Sequence, residues 1–191
     1  MTASCIGILL AAGQGKRFGA NKLLHPLADG TPMAVASARH LRAALVRSIT
    51  VVADAESELA RLLAQEGLQI IPNPRADEGM GTSIACGVAA SPKAGGWVIA
   101  LADMPCIPEA VIQAVVAGLD KGADIIAPVY QGQRGHPVGF AARHGPALMQ
   151  LHGDTGARGI IADYSSSLEL IETRDAGVIL DIDSPASLPS R

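Results

Sequence analysis

The chain has 191 residues, 49% of them hydrophobic, and a formal net charge of -3. That length and apolar content exclude a disordered chain and predict one domain over residues 1–191 with a substantial core, while the mild acidity excludes a protein built mainly to bind nucleic acid. Aromatic residues make up only 3%, so the core must come from Ala, Val, Ile and Leu, as in a parallel sheet covered by helices.

In chain order, residues 4–11 predict a first strand, followed by a loop to Gly30. Thr31 and Pro32 read as an N-cap and a first-turn proline opening an Ala-rich helix to Val46. Residues 49–53 predict a second strand. Asp54 is placed to cap a helix over 55–65, and Gly67 marks its end. Residues 68–71 predict a third strand, and Pro72-Asn73-Pro74 a loop to Met80. Thr82 or Ser83 caps the next helix in this reading. A buried strand over 97–101 stops at Ala102-Asp103-Met104-Pro105, and Pro108 opens another helix.

Residues 124–129 predict a further strand, and the polar, glycine-rich stretch 131–137 the turn of an antiparallel excursion. Helices are expected over 146–151 and 158–164, late strands over 167–173 and 177–180, and a short last helix from Asp181-Ile182-Asp183-Ser184-Pro185. Alternating strands and helices predict an α/β fold with a mainly parallel sheet. No segment reaches the roughly 18 apolar residues of a membrane span. The start lacks a basic signal-peptide region, so the expectation is a cytoplasmic protein without membrane or nucleic-acid partners. The three cysteines, Cys5, Cys86 and Cys106, are odd in number and widely spaced. They suggest neither a disulfide framework nor a zinc site; Cys5 and Cys86 read as small core residues, and Cys106 as packing.

The chemistry concentrates where strands are expected to end, the place where open α/β sheets bind ligands. After the first strand, Gly13, Gly15 and Gly19 punctuate a basic segment carrying Lys16, Arg17 and Lys22. Glycines let backbone N–H groups approach oxygens closely and the cations neutralise charge, which suits a polyphosphate. The rival is a dinucleotide signature. That motif opens directly into a helix and carries an acidic residue about 20 positions on. Here the segment stays loop-like past Pro26, and the acidic residue near that distance is Asp29, in an apparent turn. A solvated surface turn is the plain alternative. Asp103 follows an apolar strand and is placed either to hold Mg²⁺ against substrate phosphates or to cap a turn. Asp183 offers the same choice, with Asp181 as its competitor.

Leu10-Ala11-Ala12-Gly13-Gln14-Gly15-Lys16-Arg17-Phe18-Gly19-Ala20-Asn21-Lys22 resembles the signature of the MobA-like nucleotidyltransferases, written loosely LAAGxGxRxGxxK. Gly79 to Ser83 resembles their second nucleotide-facing segment, and Ala102-Asp103-Met104-Pro105 their metal-aspartate motif. Gly135 to Phe140, Gly153 to Arg158 and Asp181 to Pro185 follow in the family's order. The resemblance covers about residues 6–188. It implies a Rossmann-like three-layer fold, with residues up to about 105 binding nucleotide and about 106–191 binding an acceptor. Ala12 and the Asp-Ile-Asp-Ser-Pro run are similar to the molybdenum cofactor cytidylyltransferases, although Ser184 stands where threonine is more usual.

The activity so implied transfers a nucleoside monophosphate from an NTP (CTP first, GTP as the alternative) to the phosphate of molybdopterin cofactor. Pyrophosphate leaves, and the cofactor passes on to a molybdoenzyme. Arg17, Lys22 and Asp103 would be catalytic. Leu10, Ala11, Ala12, Gly13, Gly15, Arg17, Lys22, Arg75, Gly79 and Ser83 would meet the nucleotide. Asp103 and Asp183 would hold Mg²⁺, or Mn²⁺ in its place, and His136, Asp154 and Arg158 would meet the acceptor. Bland readings stand beside several of these: a structural His136, an Asp154–Arg158 ion pair at i, i+4, and a solvated Arg75. Other phosphorylated acceptors, such as a sugar or polyol phosphate, a nicotinamide-dependent oxidoreductase and a non-catalytic accessory protein remain as alternatives.

Overall fold

A computed structural model describes residues 4–13 and 22–182. Its core element is β1 (Cys5–Leu10), buried along its whole length. β1 lies between β2 (Ser48–Val52) and β4 (Gly96–Leu101), parallel to both, while β3 (Gln69–Pro72) extends the sheet beyond β2. Successive side chains of a strand face opposite ways, so Leu9 joins one apolar cluster while Ile6, Ile8 and Leu10 join the other. The first cluster is closed by Leu41 of α1 (Met33–Ala44), Leu63 of α2 (Glu58–Gln65) and Val115 of α4 (Glu109–Asp120). The second is closed by Val88 of α3 (Met80–Ala89), Leu148 of α5 (Gly145–Met149) and Ile160 of α6 (Arg158–Asp163). Helices on both faces give the α/β fold that the pattern predicted, in the three layers that the resemblance implied.

The second half continues the same sheet. β5 (Ile125–Tyr130) turns tightly into β6 (Gln133–Arg134), and β7 (Val138–Ala141) runs antiparallel between β4 and β5. β8 (Leu168–Glu172) pairs parallel with β5. The path is β3-β2-β1-β4-β7-β5-β6, with β8 on β5. Strand order reverses at β1, between its neighbours β2 and β4, and such a switch point is where ligands of open sheets sit. The β1–β4 register pairs Leu10 with Leu101. Both strands therefore end level, and Ala102 N–H donates to the Leu10 carbonyl at 3.1 Å.

Several local expectations are corrected. Thr31 does not cap α1: its N–H and hydroxyl both bond the Asp29 carboxylate, at 2.9 and 3.0 Å, and Pro32 takes the cap position. α2 starts at Glu58, because Ser57 Oγ accepts from Ala60 N–H, whereas Asp54 closes a turn onto Glu56 N–H. α3 is entered through Gly79, with Thr82 and Ser83 inside its first turn. The strand expected over 177–180 is a 3-10 turn, Ala176–Ile179, capped by Asp175; both edges of β5 are already taken, by β8 on one side and by β6 and β7 on the other. Cys86 is half-buried and packs at the margin of the second apolar cluster, its thiol donating to the Pro72 carbonyl. The helix expected from Asp181 onward falls mostly outside the described residues. Among the described residues no helix is long and apolar enough to cross a membrane.

Candidate active site

The level ends of β1 and β4 open onto a cleft of about 400 Å³. Leu10, Leu101 and Asp103 form its floor at the switch point, and His136, Asp154 and Arg158 line it from the second half. Residues as far apart in sequence as Leu10 and Asp181 thus share one cavity. Asp103 leaves β4 at its carboxyl end, with part of its carboxylate open to solvent. Its Oδ2 lies 3.0 Å from the Nζ of Lys22, whose side chain is 9% exposed. Lys22 opens the 3-10 turn Lys22–Leu24, so the ion pair ties the end of the glycine-rich segment to the aspartate. The Asp103 carbonyl accepts Ile182 N–H at 3.1 Å, which brings the 181–182 segment alongside and sets Asp181 in the cleft lining.

Ala11 and Ala12 are buried, one in each apolar cluster. Their side chains are spent on packing, so backbone groups are what residues 10–13 can offer a ligand. Gly15, Arg17 and Asp183 lie outside the described residues. Gly79, at φ 116°, sits where a Cβ would come 2.4 Å from the Gly153 carbonyl carbon. It fits the 153–156 turn closely against α3, and Gly81 N–H donates to the Gly153 carbonyl at 2.8 Å. Ser83 is buried within the protein. Asn73 Nδ2 donates to both Thr82 Oγ1 and Ser83 Oγ at 3.0 Å, while Asn73 Oδ1 accepts Arg75 N–H. Arg75 itself makes a two-pronged surface pair with Glu78. None of Gly79, Ser83 and Arg75 lines the cleft.

His136 donates its backbone N–H to the Val178 carbonyl at 2.8 Å, and its Nδ1 is buried without a partner among the described residues. Burial, with the charge of Arg134 and less strongly Arg158, lowers its pKa to about 4, against a smaller opposing pull from Asp103. The imidazole is therefore neutral at pH 7. Asp154 and Arg158 make no ion pair: Asp154 precedes α6, which begins at Arg158, and both are exposed at the cleft. Arg134, absent from the sequence-based set, also lines the cleft. A lone arginine in a polar turn carries no sequence signal of this, since its proximity to residue 158 is created by the β5–β6 hairpin. Among the described residues no group of three or more His, Cys, Asp or Glu side chains could hold a metal. A self-sufficient protein cage is thus missing there, whereas a single strand-end carboxylate suits a cation that shares its ligands with substrate phosphates.

A family model described as MobA-like NTP transferase domain matches residues 7–169. The chain belongs to this family. It is accordingly a nucleotidyltransferase. This MobA-like chain is 29% identical to the purine catabolism protein PucB of Bacillus subtilis (strain 168), covering 94% of this chain and 92% of the relative. It is also 29% identical to the nicotine blue oxidoreductase of Paenarthrobacter nicotinovorans, over 93% and 91%. Among solved structures it resembles Rv0371c from Mycobacterium tuberculosis H37Rv, with a TM-score of 0.84, 25% identity and coverage of 98% of this chain and 96% of that one. Rv0371c has also been solved in complex with manganese.

Proposed function

We propose that this MobA-like enzyme transfers CMP from CTP to the phosphate of molybdopterin cofactor, releasing pyrophosphate, and hands the product on to a molybdoenzyme. The observation that carries the reading is the Lys22–Asp103 pair at the switch point, opening onto a cleft that also holds Arg158 and His136. The base assignment is supported by Ala12 and the Asp181-Ile182-Asp183 run. Arg17, Lys22 and the backbone of residues 10–13 and 15 bind the nucleotide, with Arg75, Gly79 and Ser83 on its side of the protein. His136, Asp154 and Arg158 receive the acceptor.

In-line attack at the α-phosphorus brings one anion toward another, so the barrier is mainly electrostatic. Asp103, with Asp183, would hold Mg²⁺ or Mn²⁺; such an ion neutralises charge on the phosphoryl oxygens. Lys22 would cover the triphosphate and stabilise the departing pyrophosphate. A phosphomonoester has its second pKa at about 6, so the nucleophile is already mostly ionised at neutral pH and needs no general base. A neutral His136 fits this, serving as a hydrogen-bonding wall without a proton to exchange. A pyrophosphate-release assay with CTP, GTP, ATP and UTP, with and without molybdopterin cofactor, tests the reading: preference for CTP supports it, and preference for GTP overturns the base assignment. Turnover with a sugar or polyol phosphate in place of the pterin would overturn the acceptor.

The likeness to nicotine blue oxidoreductase favours one other reading, a nicotinamide-dependent oxidoreductase using the glycines at 13, 15 and 19. NADPH binding with no binding of any NTP would establish it over nucleotidyl transfer. An accessory role without catalysis would show as NTP binding with no turnover.

A further inference from the structure

The cleft holds a cation with no role assigned so far, Arg134, beside Arg158. Arg134 and Arg158 both line it, yet among the described residues neither guanidinium makes an ion pair or a side-chain hydrogen bond. Arg134 is half-buried. Burial and the nearby charge of Arg158 both pull its pKa below the ordinary arginine value. Two like charges facing one cavity, one of them partly desolvated, is an unfavourable arrangement that a bound anion would relieve.

The backbone that carries Arg134 is firmly set. Gln131 and Gly132, at φ 49° and 79°, form a two-residue hairpin turn with both central residues left-handed, and Arg134 pairs with Val129 across the ladder. Gly135 N–H donates to the Pro128 carbonyl at 2.8 Å, and a Cβ at Gly135 would lie 2.3 Å from the Val178 carbonyl oxygen. The hairpin is therefore held against the 176–179 turn. Arg158 is anchored from the other side, because α6 buries Ile160 and Ile161 in the core.

We propose that Arg134 and Arg158 form a two-guanidinium clamp for a phosphomonoester dianion carried by the acceptor. This rests on the reading of the chain as a transferase to a phosphorylated acceptor. Two positive charges match a dianion, and the planar guanidinium fork matches phosphate oxygens two at a time. Asp103, Asp154 and Asp181 also line the cleft; ionised carboxylates only accept hydrogen bonds, so the guanidiniums are the groups that can donate to a phosphate there. Apolar lining from Met80, Ile84 and Val138 suits an acceptor whose body is flat or greasy and whose charge is confined to the phosphate.

Calorimetric titration with phenyl phosphate, with the monoanionic methyl phenyl phosphate diester, and with CTP plus Mg²⁺ tests the clamp. The wild-type protein is expected to bind phenyl phosphate about tenfold tighter than the diester. Arg134→Gln should weaken phenyl phosphate binding by about tenfold or more, Arg134→Lys should recover only part of it, and both should bind CTP within about twofold of wild type. Thermal melting shows that the variants fold. No binding of phenyl phosphate by the wild type, or an unchanged affinity in a folded Arg134→Gln, overturns the proposal. Equal loss of CTP and phenyl phosphate affinity also overturns it, by moving Arg134 to the triphosphate. If the wild type shows the phosphate pattern yet binds no CTP, the CMP-transfer reading fails while the clamp stands.

Discussion

Lys22 and Asp103, 81 residues apart, meet at 3.0 Å where β1 and β4 end together. The pair joins the glycine-rich segment to the strand-end carboxylate, so a change at either residue is felt at both. Asp103→Asn should reduce turnover by at least about a hundredfold. It should cost about 1–2 kcal/mol of stability, since one charged partner of a mostly buried ammonium is removed. Denaturant unfolding and steady-state assays read the two effects separately. A fully active Asp103→Asn would remove this residue from the reaction.

Lys22→Ala should weaken NTP binding by about tenfold, through loss of one charge-assisted contact to phosphate. In a double-mutant cycle with Asp103→Asn, the two changes should couple by about 1–3 kcal/mol in stability. Fluorescence titration with a labelled NTP measures the affinity, and an unchanged value would separate Lys22 from the nucleotide.

Gly79→Ala should be among the more damaging single changes outside the apolar core. The position has φ 116°, and a Cβ would press on Gly153 and on the Asp154 carboxylate, 2.5 Å away. Strain plus displacement of the 153–156 turn should cost roughly 2–4 kcal/mol. Acceptor affinity should fall more than nucleotide affinity, because Asp154 stands on the displaced turn and Arg158 opens the helix that follows it.

Acid should destabilise the protein through His136 before its carboxylates titrate. The folded-state pKa of about 4 lies below the ordinary 6.5. Between these values the unfolded chain binds a proton that the folded one does not. The contribution is fully present above pH 6.5 and is lost as pH falls toward 4, by roughly 1–3 kcal/mol for a partly exposed ring. His136→Gln should flatten the stability profile in that window. A profile identical to wild type would show that His136 does not titrate as its surroundings require.

Asp124 acts in a lower window. Burial raises its pKa, but hydrogen bonds from Arg143 and His144 outweigh that and leave it below the usual carboxylate value. His144 is buried, with Nε2 2.8 Å from Asp124 Oδ1, and packs edge-on against Phe140 and Tyr164. The stability it gives is present above about pH 4 and lost as pH falls through the depressed folded value. Asp124→Asn should destabilise by about 1–3 kcal/mol and leave NTP affinity unchanged, since Asp124 precedes β5 and does not line the cleft.

The parts of the fold legible in the sequence were those set by local pattern. The apolar runs 6–10 and 97–101 announce central strands because both faces of a parallel sheet are covered, and Asp103 announces itself by ending one of them. The start of α1 was misplaced because Thr31 had a nearer partner in Asp29. The strand expected over 177–180 did not form because β5 had no free edge to pair with. Contacts across the fold were less legible. The Lys22–Asp103 contact joins residues 81 positions apart, and the Arg134–Arg158 approach depends on a hairpin turn. Neither has a spacing that sequence reading could detect. Ser83 illustrates the opposite case: a motif position whose hydroxyl the fold uses internally, under Asn73.

The central claim is nucleotidyl transfer at the Asp103 cleft, and label transfer from [α-³²P]CTP to molybdopterin cofactor in the presence of Mg²⁺ tests it most directly. The account predicts labelled product in step with unlabelled pyrophosphate for the wild-type protein, and background levels for Asp103→Asn. Absence of labelled product with any of the four NTPs, or equal product from Asp103→Asn, would contradict it.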